Sequence, residues 1–288
     1  MSVSIITACK NRRRALFVSL ASWIQLDQVS EIIVTDWNSD QPIDDLTRLS
    51  KKIKVIRVNN EPYFNQPQPL NLAASLVKTE YIMKLDCDHV LNPYFNFFEM
   101  NDVKDDYFIS GCNSVDQNSM DAYFLYPIWG LLYVKTEAFK HIGGYNENMG
   151  KYYAVEDDEL SMRLMSYGLK PKFMDVQKFS VLHLPHTDKD RVQNFESFES
   201  ISQLLNENKK DLPEHKRYTY MTQLCKNKNH KEHPSVTKMI DLFTECSETG
   251  ELSVKSLEYL VGIECYSEPI YKWNLRQLNG QVYEAVKL

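Results

Sequence analysis

Two carboxylates one residue apart, Asp86 and Asp88, close an apolar run in the segment YIMKLDCDHV, residues 81–90. On an extended chain, side chains at i and i+2 leave the same side of the strand. A turn behind them lets both converge on one point. Hard cations such as Mg²⁺ and Mn²⁺ take carboxylate oxygen and often bridge protein to phosphate groups. The pair is therefore a candidate for holding a cation and a diphosphate. D-x-D by itself is equally an ordinary solvated strand end, so the choice rests on what else the chain supplies.

Four further stretches offer matching chemistry. Thr7 to Arg12 (TACKNR) ends the first apolar run, and Arg12, Arg13 and Arg14 stand where a helix would begin. Positive charge there opposes the helix dipole, a mild cost that suggests one of the three meets an anion, for which a nucleotide diphosphate is suited. Asp36 to Asp40 (DWNSD) consists of turn formers. At a strand end Asp36 is also placed to accept a hydrogen bond from a base or ribose, with Trp37 as an aromatic surface. Val155 to Leu160 (VEDDEL) opens a helix, where acids are favoured in the first turn and Glu159 with Arg163 makes a supportive i,i+4 pair. Yet Glu156, Asp157 and Asp158 in succession also suit a site where one acts as a base. A crowded carboxylate has its pKa raised and takes a proton from a hydroxyl, an assistance worth roughly 10²- to 10⁴-fold in rate. Finally, His183 and His186 flank Leu-Pro (HLPH) behind another strand. A lone histidine is more often structural, but two in a chain with a carboxylate pair can complete a cation site, and imidazole favours Mn²⁺ over Mg²⁺.

These residues must be carried by a frame. Val3–Thr7, Glu31–Thr35, Ile53–Val58 and Tyr81–Leu85 read as strands, while Arg13–Leu26 and Pro69–Val77 have helical spacing. The βαβαβ rhythm predicts an α/β fold with a largely parallel sheet and helices on both faces. Ligands of such sheets bind beyond the carboxyl ends of the strands, where Thr7, Asp36, Asp86 and Asp88 fall. Residues 105–184 are mixed, with strand-like Tyr107–Gly111, Lys172–Asp175 and Phe179–Leu182. A helix from Glu156 places Leu160, Leu164 and Tyr167 near one stripe and stops at Gly168. Past about Asp188 glycine almost vanishes and Lys, Glu, Asn, Gln and Leu dominate. The expected division is an α/β domain over 1–190 and a helical region over 191–288.

With 288 residues, 43% of them hydrophobic, the chain can bury a substantial core. Its net charge of -6 argues against nucleic acid as a partner. The six cysteines form no C-x-x-C pair and read as free thiols of a reducing compartment. At the N-terminus the basic residues follow the apolar run, the reverse of a signal peptide. No run of about 18 apolar residues suits a membrane span. A soluble cytoplasmic protein, open to homo-oligomer formation, is the expectation.

Together and in this order, TACKNR, DWNSD, LDCDH, IGGYNE…VEDDELSMRL and HLPH resemble the inverting, family 2-like glycosyltransferases of the GT-A (Rossmann-like) fold, over roughly Ser2 to Asp188. The GGYNE…EDDEL…H part also resembles the galactosyltransferase-type C-terminal module. The resemblance implies a nucleotide-diphosphate sugar donor, usually with uridine, a Mn²⁺ or Mg²⁺ ion, and a glycan or other hydroxyl-bearing acceptor. It implies Thr7, Arg12 and Asp36 around the nucleotide, and Asp86 on the ribose or on the metal through water. Asp88 would be the direct metal ligand, His186 the late ligand and His183 a second. Asp157 would be the general base, with Glu156 and Asp158 positioning the acceptor or the base. Trp129-Gly130 would lie near the donor sugar, with Trp129 among the acceptor contacts. Cys87 is expected in the core and His89 outside the metal set. Where many members carry an aromatic or Gly-Trp-Gly stretch before the ED pair, this chain has MGKYYAVEDD, which leaves Tyr152 or Tyr153 for the aromatic role. Lys226, Lys228 and Lys231 read as a solvated face. A sugar-phosphate nucleotidyltransferase is the rival enzyme, disfavoured because TACKNR lacks a glycine-rich loop. A non-catalytic nucleotide-sugar or glycan binder is disfavoured by the intact Asp88, Asp157 and His186.

Overall fold

The computed structural model describes residues 2–97, 107–115, 125–174, 181–208, 212–232 and 273–288. Strands β1 (Val3–Cys9), β2 (Val29–Trp37), β3 (Ile53–Val58) and β4 (Tyr81–Lys84) alternate with helices α1 (Arg13–Trp23) and α2 (Pro67–Ser75). Next come β5 (His89–Leu91), β6 (Tyr107–Val115), β7 (Leu125–Lys135), α3 (Thr136–His141), α4 (Glu156–Ser166), β8 (Lys170–Met174) and β9 (Val181–His183). The described part ends with α5 (Asp188–Val192), α6 (Phe198–Asn208), α7 (Glu214–Glu232), β10 (Trp273–Gln277) and β11 (Val282–Lys287).

The main sheet has nine strands in the order β10-β11-β3-β2-β1-β4-β7-β6-β8. Strands β11, β3, β2, β1 and β4 run parallel, and β7 then pairs antiparallel with β4. The central strands are apolar without alternation because helices cover both faces. Ile5, Ile32 and Val34 pack with Leu16, Leu20 and Trp23 of α1 on one side. Ile6 and Ile33 pack with Leu70 and Ala73 of α2, Phe139 of α3 and Leu160 and Leu164 of α4 on the other. The α/β expectation holds, with helices on both faces. Tyr167 does not extend the α4 stripe: it is 40% exposed at the C-cap and meets His141. Gly168 ends the helix with φ +103°, as a left-handed C-cap residue does.

The C-terminal region is helical through α6 and α7, but the last residues are not. β10 and β11 form a hairpin whose second strand adds to the free edge of β3. Its turn carries Asn279-Gly280, the strongest short hairpin signal a sequence offers, and Asn279 Oδ1 accepts from the backbone N–H groups of Gln281 and Val282. Gln281 then donates to the carbonyls of Thr47, Ser50 and Ile53, fixing the hairpin to the sheet edge. The hairpin brings Trp273 edge-to-face onto Trp37, so Trp37 is fully buried rather than a surface for a base. Cys9, Cys87 and Cys225 are free and buried; Cys246 and Cys265 lie outside the described residues, as does the side chain of Cys112. Among the described residues no helix is long and apolar enough to cross a membrane.

Candidate active site

The connection from β3 through α2 jumps back past β2 and β1 to reach β4, so the strand order reverses between β1 and β4. A crevice opens beyond the carboxyl ends of such a pair. Arg12 enters it from the end of β1 and Asp86 and Asp88 from the end of β4. A tight turn follows β4, with the His89 backbone N–H donating to the Asp86 carbonyl at 3.0 Å. The Asp86 backbone N–H donates in turn to His89 Nδ1 at 3.2 Å.

A second, two-stranded sheet explains how histidines almost a hundred residues later reach this turn. β5 pairs antiparallel with β9, setting His183 opposite His89, and the Leu184 N–H donates to the Asp88 carbonyl at 2.8 Å. His183 Nε2 and His186 Nε2 therefore lie 3.2 Å apart, and each stands 3.4 Å from Asp88 Oδ2. Asp88 is 1% exposed. Burial alone would raise its pKa, but His183, His89 and Arg12 hold it well below the usual carboxylate range. Arg12 Nη2 sits 2.8 Å from the same oxygen: the anion met by the basic helix start is Asp88. Burial, with Arg12 nearby, pushes His186 down to about 4, so its imidazole is neutral at neutral pH with a lone pair to give.

These residues fit a divalent cation. A carboxylate and two imidazoles converge within 4.8 Å, a donor set suited to Mn²⁺. Neither Asp88 oxygen completes a hydrogen bond of sound geometry although both are buried. His89 shares a second cluster with Asp86 and Asp88, but its ring is buried, its Nδ1 is taken by Asp86, and it packs edge-to-face against His183. The expected trio of Asp88, His183 and His186 is assembled, with His89 supporting it. Cys87 is in the core, as expected.

A second cluster stands beside the first. Lys84, the one charged residue of an apolar strand, is 0% exposed, and its Nζ lies 2.9 Å from Asp86 Oδ1 and 3.2 Å from Asp157 Oδ1. Burial alone would lower its pKa, but Asp157 and Asp86 hold it above the usual lysine value. Tyr145 Oη donates to Asp157 Oδ1 at 2.7 Å. Asp157, 27% exposed, thus accepts from two buried donors while part of its carboxylate faces solvent. Its neighbour Glu156 is buried with Oε2 partnerless. Burial, with Asp157 alongside, pushes Glu156 up to about 8 and Asp158 up to about 7. Gly130, with φ +87°, approaches so closely that an added Cβ would stand 2.4 Å from Asp86 Oδ2.

Other expected residues fall elsewhere. Thr7 is fully buried within β1 with its Oγ1 partnerless, rather than open to the crevice. Asp36 is also fully buried: Arg57 and the backbone N–H groups of Ser39 and Ile43 take its oxygens. It shapes the DWNSD turn rather than presenting itself to a base. Asp158 points toward Lys226 of α7, whose charge acts on it. Tyr152 packs among Val192, Ile201, Leu205 and Met221, which removes it from the aromatic role. Tyr153 meets Phe195 edge-to-face and lies near Glu156, Asp86 and Asp157. Trp129 belongs to β7, its side chain outside the described residues. A cavity of about 590 Å³ is lined by Asn11, Arg13, Asp40, Gln41, Lys189 and Gln193 among others. Lys84 and Tyr145 were missed in the sequence, although a lysine inside YIMKL and a tyrosine inside GGYNE were both visible signals.

Residues 119–187 match the family model described as the N-terminal domain of galactosyltransferase. No curated protein matches the sequence. Among solved structures, TarS 1-349 of S. aureus in complex with UDP is similar over 80% of this chain and 72% of that one, at 14% identity and a TM-score of 0.51. Longer S. aureus TarS is similar over 75% of this chain and 41% of its own, at 17% identity and a TM-score of 0.50. GalNAc-T7 with UDP, GalNAc and Mn²⁺ is similar over 68% and 44%, at 13% identity and a TM-score of 0.50. This chain spans less than half the length of the last two. The fold is the GT-A glycosyltransferase fold.

Proposed function

We propose that this GT-A chain is a metal-dependent, inverting glycosyltransferase that moves a sugar from a nucleotide-diphosphate donor, in the first instance a UDP-sugar, to a hydroxyl of a glycan or similar acceptor. One observation carries the reading: a carboxylate–imidazole trio adjoins Asp86, and buried Lys84 ties Asp86 to a second acid, Asp157, that Tyr145 also holds. The partial match to a galactosyltransferase model supports the reaction class. The neighbours with UDP and with UDP, GalNAc and Mn²⁺ support the donor and ion.

Asp88, His183 and His186 would hold the cation, which when bound neutralises charge on a departing diphosphate. The cavity lined by Asn11, Arg13, Asp40 and Lys189 offers room for the nucleotide, with Arg13 and Lys189 supplying positive charge. In the transfer, the acceptor hydroxyl gives its proton to Asp157 as its oxygen bonds to the anomeric carbon. The carbon–oxygen bond to the diphosphate breaks and its electron pair leaves with the phosphate, inverting the centre. Tyr145 and Lys84 orient the Asp157 carboxylate by donating to it. Glu156, which keeps its proton at neutral pH, can donate to an acceptor oxygen. Two adjacent acids with separated protonation are a recurring acid–base arrangement.

The test is release of nucleoside diphosphate from a panel of UDP-hexoses with Mn²⁺ and mixed hydroxyl acceptors. Turnover is expected, with Asp88→Ala and Asp157→Asn each reducing it by 10² or more. Binding of UDP without turnover on any acceptor would leave the binding-module reading in its place, and full activity of Asp88→Ala would remove the metal assignment.

A further inference from the structure

The peptide that delivers Glu156 and Asp157 is held in a conformation its residues resist. Ala154 has φ +74° and Val155 φ +77°, two successive non-glycine residues in the left-handed region. For a β-branched residue this is a true outlier, and such strain persists only where the surroundings over-determine it. The surroundings come from the far end of the chain. Asn229, on α7 and 1% exposed, donates from Nδ2 to the Ala154 carbonyl at 2.7 Å and to the Tyr152 carbonyl at 3.2 Å. Tyr152 packs into the cluster of Val192, Ile201, Leu205, Met221 and Cys225. The side chain that donates to both carbonyls therefore sits on α7, 75 and 77 residues along the chain from the peptides it holds.

We propose that Asn229 is a positioning residue for the transfer. By holding the Tyr152–Val155 turn left-handed, it fixes where α4 begins and so where Asp157 meets Tyr145 and Lys84. This inference rests on Asp157 being the base. The α5–α7 helices are then part of the catalytic apparatus, because the acid pair cannot keep its place unless α7 is docked. Asn229 contributes nothing to the donor or to the cation trio, so its loss acts on turnover and not on donor affinity.

The measurements are kcat, donor KM and backbone amide exchange over 152–157 for four chains: wild type, Asn229→Ala, Asn229→Asp, and Asn229→Ala combined with Ala154→Gly. Asn229→Asp keeps the side chain's size but offers the two carbonyls no N–H, which covers the case in which the alanine variant packs poorly. Losing both hydrogen bonds to a strained turn is expected to lower kcat by about 10- to 100-fold, with donor KM within about twofold of wild type and faster exchange over 152–157. Ala154→Gly removes one residue's objection to the left-handed region and is expected to restore part of the lost turnover. Wild-type kcat and exchange in Asn229→Asp would overturn the proposal, as would a loss confined to KM or a loss that Ala154→Gly leaves untouched. If Asp157→Asn retains full activity, the base assignment fails instead, and the exchange data still decide whether Asn229 holds the turn.

Discussion

Lys84 is the most informative single residue of the site, because it touches both acids that frame the crevice and is itself sealed from water. Lys84→Met keeps the length and apolar stem of the side chain while deleting its charge. The attraction across the 3.2 Å contact with Asp157 amounts to about 1.3 kcal/mol at the dielectric of water and about 2.6 kcal/mol at half that value. Asp157 is 27% and Asp86 37% exposed, so these high dielectrics suit the pair better than a dry interior. At 1.36 kcal/mol per tenfold in rate, kcat for nucleotide release is expected to fall by about 10- to 80-fold. The direction follows from the geometry: without Lys84 the Asp157 carboxylate keeps only Tyr145 of its two buried donors and is free to turn away from the acceptor. Glu156, whose pKa Lys84 acts to lower, should hold its proton to a higher pH. Stability should fall by about 1–3 kcal/mol, less than for a fully buried pair, since both orphaned acids can rehydrate. A melting point lowered by a few degrees with wild-type turnover would refute the reasoning. Lys84 would then be a structural cation and Asp157 not the rate-setting base.

The cation trio is tested without turnover: Mn²⁺ at 100 times its Kd should stabilise the wild type by about 2.7 kcal/mol, and Asp88→Asn should abolish the shift in a thermal melt. Glu156→Gln should raise the melting point at pH 8 and leave it unchanged near pH 4. Its folded-state pKa is pushed from 4.5 up to about 8, so the stability it contributes is complete below about 4.5 and drains away as pH rises toward 8. Gly130→Ala should cut turnover more than tenfold while leaving the Mn²⁺ shift intact, because its Cβ would intrude on Asp86, 2.4 Å away, and not on Asp88.

The frame was legible because parallel strands buried on both faces carry dense apolar runs, and β1 to β4 all do. The trio was legible because D-x-D and H-x-x-H carry their chemistry in the residue types themselves. What brought them together was not, since β5 and β9 are three residues each and strands that short leave no periodicity to read. Asp36 and Thr7 went astray for a different reason. A sequence locates a strand end but not which side chains the next turn folds inward, and Arg57 on β3 draws the Asp36 carboxylate into the sheet. The closing hairpin was passed over despite Asn279-Gly280, because its strands, WNLRQ and VYEAVK, are only half apolar, as befits the edge of a sheet.

The departures from local rules gather at the carboxyl ends of the strands. Asn11, Asn38 and Asn60, which follow β1, β2 and β3, take positive φ, as asparagine can at little cost. Ala154 and Val155 take it at a real cost. In the same region a lysine is buried, a glutamate is buried with an empty oxygen, and an aspartate is shared between one arginine and two histidines. Natural chains break local consistency mainly where function requires it and compensate elsewhere. Here the compensation is traceable: Lys84 and Tyr145 answer Asp157, Arg12 answers Asp88, and Asn229 answers the strained turn. Each compensating residue lies on a different element, β4, the loop before α4, the end of β1, and α7. The crevice is thus specified by the whole fold rather than by any one motif, and removing a compensating residue should cost more turnover than its own contacts are worth in stability.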